Sequence, residues 1–215
     1  MDYGLFKVPF LLDFANFALD DTVIFIVALL SAVLFNGEAQ GYVATFLGDV
    51  EPDKDKRHHF NAFKHLDILG TICFFLGGFG WAKKVNINQN NLKKPFLHTL
   101  IIRFSGPIAN LLLANIVCSI IWVLHKYEVQ DRTFSIIAAV NLMVAVYSLI
   151  PIPPLAAGSF TVLFKEKGFE KIVEYYNQAG PYIIIAVVLI ERITSVEIFG
   201  LLKPVVVSLF KFIYA

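Results

Sequence analysis

The chain has 215 residues, 57% of them hydrophobic and 16% charged, with a mean hydropathy of +0.68. That is more apolar and less charged than an ordinary soluble domain, and it is the composition of an integral membrane protein. The net charge of +1, with basic residues scattered through short loops, excludes the basic stripe that nucleic-acid binding requires.

Residues 1–21, MDYGLFKVPFLLDFANFALDD, carry one Lys and four Asp. They lack the positive start and small-residue cleavage site of a signal peptide and are predicted to form an interfacial segment. Four apolar blocks are long enough, or nearly so, to cross a hydrocarbon core of about 30 Å: 22–47, 96–124, 133–150 and 180–193. The shorter block 66–82 contains Gly70, Gly77, Gly78 and Gly80, which points to a broken or re-entrant segment rather than a straight span. The C-terminal FGLLKPVVVSLFKFIYA, interrupted by Pro204, reads either as a last short span or as a helix at the interface. The expected organisation is an N-terminal segment 1–21, a membrane core 22–178 and a C-terminal membrane segment 179–215, all-α, with about four to six transmembrane helices.

If 66–82 dips in and returns, eleven Lys and Arg side chains fall on one side, in the loops around 54–64, 83–94 and 165–171, and Lys7, Lys126 and Arg132 on the other. This asymmetry predicts loops 48–64 and 83–95 in the cytoplasm and the N-terminus outside, in a bacterial inner membrane. Cys73 and Cys118 lie singly in apolar stretches and form no metal-binding spacing.

Chemistry-bearing residues concentrate in four stretches: GYVATFLGD (41–49), NAFKHLDILGT (61–71) followed by FGWAKKVNIN (79–88), FSGPIANLLLA (104–114) and NLMVAVYSLIPIPPL (141–155). In this order and spacing they resemble the site-2 protease family of intramembrane zinc metalloproteases over about residues 22 to 165. The family's HExxH motif places two His at i and i+4 on one helix face to grip zinc, with a Glu as general base and a later Asp as third ligand. Aligned on the resemblance, Asn36 falls at the first His, Gly37 at the Glu, Gln40 at the second His, Ala156 at the Asp and Ala157 at the Gly after it. Ser148 falls at an Asn that the family carries before its proline run. The resemblance therefore implies a homologue without the zinc ligands and base. The expectations that follow are no enzymatic activity, no cofactor and no metal, with His58, His59 and His65 as fallback ligands.

Two charged residues within spans, Glu38 and Arg103, require a partner or water and are predicted to pair with each other, or Glu38 to be held protonated. By resemblance Asn110 and Asn141 line the family's cleft; interhelical hydrogen bonds are the other reading. The residues expected to contact a partner are Glu38, Arg103, Asn110, Asn141 and Ser148. That partner is expected to be a membrane protein or its transmembrane helix, bound within the lipid bilayer by a chaperone, assembly factor or complex subunit. A zinc metalloprotease with non-standard ligands and a small transporter or channel component are the alternatives; no inverted repeat supports the latter.

Overall fold

The computed structural model describes residues 19–50, 59–129, 132–165, 168–194, 196 and 198–214; residues 1–18 and the predicted interfacial segment lie largely outside this set. Among the described residues the architecture is all-helical, with α1 Leu19–Phe46, α2 Ile68–Gly77, α3 Pro95–Lys126, α4 Arg132–Tyr147, α5 Val162–Lys165, α6 Glu170–Thr194 and α7 Lys203–Tyr214. Helices α1, α3 and α6 are long and apolar enough to cross a membrane, while α2 and α4 are shorter apolar helices. α6 begins ten residues ahead of the block expected from Gly180 and runs unbroken through Pro181. With 12 residues, α7 is about 18 Å long, too short to span a bilayer alone.

The packing of α1 on α3 follows from two stripes at four-residue spacing. On α1, Ala28, Ala32, Asn36, Gln40 and Ala44 are buried; on α3, Ile102, Gly106, Asn110, Ala114 and Cys118 are. Residues four apart share a helix face, and Ala and Gly along it let two backbones approach closely, the usual means of helix association where lipid offers no hydrophobic contrast. Gly106 marks the tightest point: a Cβ there would lie 2.5 Å from Asn36 Oδ1. On the other side of α3, Ile108, Leu112 and Ile116 are exposed at the same spacing, as a lipid-facing surface requires. α4 packs against both α1 and α3, and its residues from Ala138 to Tyr147 are all buried. It is the helix about which the core is built.

The glycine-rich block folds as a hairpin. α2 rises for 10 residues from Asp67, stops at Gly78 in the left-handed conformation (φ 78°), and the chain returns extended so that Leu66 and Ala82 pair as an antiparallel bridge. Lys83 N–H donates to the His65 carbonyl at 2.7 Å. Both ends of the segment thus lie side by side, the geometry a re-entrant segment has. Asp67 fastens it: Oδ1 accepts the Gly70 N–H at 2.8 Å, capping α2, and the Trp81 indole N–H at 2.9 Å. Asp67→Ala removes the cap and leaves the indole without this acceptor, so we expect a loss of about 1–3 kcal/mol, read as a lower melting temperature in detergent with faster amide exchange confined to 66–82.

Candidate functional site

The polar residues that interrupt α1 belong to a continuous chain of hydrogen bonds. Arg103 Nη1 donates to Gln40 Oε1 at 2.9 Å, Gln40 Nε2 to Asn36 Oδ1 at 2.7 Å, Asn36 Nδ2 to Asn110 Oδ1 at 2.7 Å, and Asn110 Nδ2 to Asn141 Oδ1 at 2.8 Å. Asn141 Nδ2 closes the series on the Ile137 carbonyl at 2.9 Å, and Asn110 Nδ2 also reaches the Ala32 carbonyl at 2.9 Å. Every amide accepts from one neighbour and donates to the next, so the dipoles align and reinforce each other across α1, α3 and α4. Asn110 and Asn141 are fully buried. Their bonds run along this chain, and they do not line the pocket described next.

A small pocket opens at the Arg103 end, lined among others by Asn36, Gln40, Arg103, Ser148 and Ala156, with Gly80–Ala82 of the returning hairpin across from them. Its free volume, about 30 Å³, is that of roughly one water. Arg103 and Lys84 form a wall shared with a second, larger cavity of about 510 Å³, bounded by Gln89, Thr99, Thr161, Glu170, Glu174 and Asn177. Arg103 Nη2 is anchored on the Val85 carbonyl at 3.0 Å, which fixes the 84–89 loop to α3. Ser148, buried, donates to the Ala145 carbonyl at 2.6 Å. In the sequence Lys84 is only a loop charge, and nothing there signals that the loop folds back over α3.

Burial pushes the Lys84 ammonium down to about 8, with neighbouring Arg103 lowering it and Asp67 opposing that. A lysine depressed in the folded state binds fewer protons there than in the unfolded chain, so stability rises with pH between about 8 and the ordinary value near 10.4. The melting temperature of the wild type should therefore improve relative to Lys84→Met as pH is raised from 7 to 10. Because Lys84 reaches the surface, solvent screening keeps the gain small; a difference that falls with pH would contradict the assignment.

Glu38 does not pair with Arg103. Positions 36 and 40 share one face of α1, and position 38 lies about 200° round the helix from 36. There Glu38 Oε1 lies 3.0 Å from His65 Nε2 and 3.7 Å from His59 Nδ1, and it accepts the backbone N–H groups of His59 and Phe60 at 3.2 and 2.9 Å. The two imidazoles are 4.5 Å apart, centroid to centroid. Ligand-capable atoms of Glu38, His59 and His65 all fall within 4.8 Å of one another. His65 also fills the space beside Gly37, where a Cβ would overlap its ring. His58 lies outside the described residues.

The chain is 34% identical over 139 residues to the protein named "Putative zinc metalloprotease YwhC" of Bacillus subtilis (strain 168). The match takes in 60% of this chain and 64% of that relative's length. No protein-family profile matches the chain, and no solved structure matches it. The name of the relative fits the site-2 protease resemblance read from the four motifs. It overturns the expectation that the chain is not an enzyme, because a relative of this similarity is named for protease activity and the described residues hold a metal-capable group. The same two findings point toward zinc, against the expectation of no cofactor and no metal. That expectation rests on the HExxH and third-ligand positions and keeps His58, His59 and His65 only as fallback ligands. Asn36, Gln40 and Ala156 do offer no useful zinc donor, since two are amides bonded into the chain above and one is a methyl group; the imidazoles and carboxylate stand on another face of α1.

Proposed function

We propose that this chain is a membrane-embedded protein of site-2 protease-like architecture that takes an extended segment of a partner membrane protein into the cavity beside α3. The observation that carries this is the cavity of about 510 Å³ whose inner wall is Arg103 and Lys84 and whose sides present Gln89, Thr99 and Asn177. Amide and hydroxyl groups suit a peptide backbone, and a lining that carries both cations, Arg103 and Lys84, and carboxylates, Glu170 and Glu174, suits polar side chains of either charge on it, next to helices that lipid surrounds. Part of the same proposal is the alignment of Asn36, Gly37, Gln40 and Ala156 with the family's ligand and base positions; any metal is then held elsewhere. A photo-activatable residue at Thr161 or Asn177 should cross-link to a membrane polypeptide, while one at Ile116 on the lipid side of α3 should label lipid. Equal labelling of the same polypeptide from Ile116 would sink the assignment.

A second reading, metal-dependent peptide hydrolysis, is favoured by the name of the Bacillus subtilis relative and by the Glu38, His59 and His65 group. It calls for cleavage of a single-pass membrane substrate by purified protein that stops with chelator and with Glu38→Gln. Cleavage undiminished in Glu38→Gln would remove this group from the reaction.

A further inference from the structure

We propose that Glu38, His59 and His65 bind one divalent cation of the zinc class, clasping the 59–65 segment to α1 on the face opposite the amide chain. One carboxylate and two imidazoles form a donor set that zinc favours, at about 2.0–2.2 Å for each ligand. Two such ligands on a tetrahedral ion stand about 3.3 Å apart. The 3.0 and 3.7 Å separations from Glu38 Oε1 to His65 Nε2 and His59 Nδ1 bracket that value, and the ligand atoms of the two imidazoles lie within 4.8 Å of each other, so the ion enters by drawing the imidazoles together over the carboxylate.

The surroundings are built for it. Glu38 and His65 are 4% and 5% exposed, and the His59 side chain 11%, so charge introduced there is little screened by solvent. Two backbone N–H groups orient the carboxylate, the kind of outer support that metal ligands carry. The Asn61 N–H reaches His59 Nδ1 at 3.3 Å, a long contact that the ion would replace if His59 ligates through that nitrogen. His65 itself is held in place from behind, because its carbonyl is bonded to Lys83 of the returning hairpin. With three protein donors, a fourth position is left for water.

The site does not depend on the partner-binding proposal and is tested without a partner. Purified protein stripped with EDTA and reloaded with Zn²⁺ should retain about one zinc per chain by elemental analysis and melt at a higher temperature than the stripped form. Co²⁺ in its place should give the visible absorption of a tetrahedral nitrogen and oxygen site. Glu38→Gln and His65→Ala should each weaken zinc binding by more than about tenfold, and His98→Ala, outside the group, should leave it unchanged. Should either buried variant fail to fold, His59→Ala, in the less enclosed segment, decides the matter. Absence of stoichiometric zinc, or zinc binding that survives His59→Ala undiminished, would overturn the site.

Discussion

Asn110→Ala should lower the stability of the folded protein by about 2–3 kcal/mol, well above the roughly 0.6 kcal/mol average for one interhelical hydrogen bond in a membrane. Asn110 is fully buried and stands in the middle of the amide chain, accepting from Asn36 and donating to both Asn141 and the Ala32 carbonyl. Truncation strips partners from three groups at once, and of these only Asn36 borders the one-water pocket, while the Ala32 carbonyl and Asn141 are fully enclosed. Unfolding titrations in mixed micelles measure this. A change under about 0.5 kcal/mol would mean that the amides re-pair locally and that the chain is not cooperative.

Gly106→Ala is expected to be at least as damaging, although it adds a single methyl group. That methyl would lie 2.5 Å from Asn36 Oδ1, inside any tolerated contact, so either α1 and α3 separate or the Asn36 side chain turns away. In the second case Asn36 gives up its bonds to Gln40 and Asn110, and Arg103 loses the support relayed through Gln40. Overpacking of this kind costs about 1–3 kcal/mol before any hydrogen bonds are lost. Leu112→Ala, on the exposed face of the same helix, provides the comparison and should change stability far less. If both variants unfold alike, close approach at Gly106 is not what holds α1 against α3.

Much of the scaffold is legible in the sequence. The glycines of 66–82 announced a segment that does not run straight, and it turns back at Gly78. Polar residues in the first span implied a polar interior, and Asn36 and Gln40 are indeed enclosed by helices. Of the two readings of Glu38, the pair with Arg103 is excluded only by the fold: helical arithmetic puts Glu38 across α1 from Gln40, but it is the structure that shows Arg103 on Gln40. What sequence could not supply was the path of the loops. Only the fold brings His59 and His65 onto Glu38 from 21 and 27 residues away, and only the return of the hairpin carries Lys84 to the wall beside Arg103. The expectation of no metal and no enzymatic activity rests on the HExxH and third-ligand positions; against it stand the Bacillus subtilis relative named as a metalloprotease and Glu38, which meets two imidazoles on the far face of α1.

The central claim is that Arg103 and Lys84 form the inner wall of a cavity that a partner's segment enters. Its most direct test is the yield of cross-link from a photo-activatable residue at Asn177, compared between the wild type, Arg103→Lys and Arg103→Met, with melting temperatures recorded to confirm that each is folded. The expected result is a strong cross-link to a membrane polypeptide in the wild type, largely kept in Arg103→Lys and reduced by about tenfold in Arg103→Met, a difference of some 1.4 kcal/mol in binding. A folded Arg103→Met protein that cross-links as well as the wild type would contradict the account.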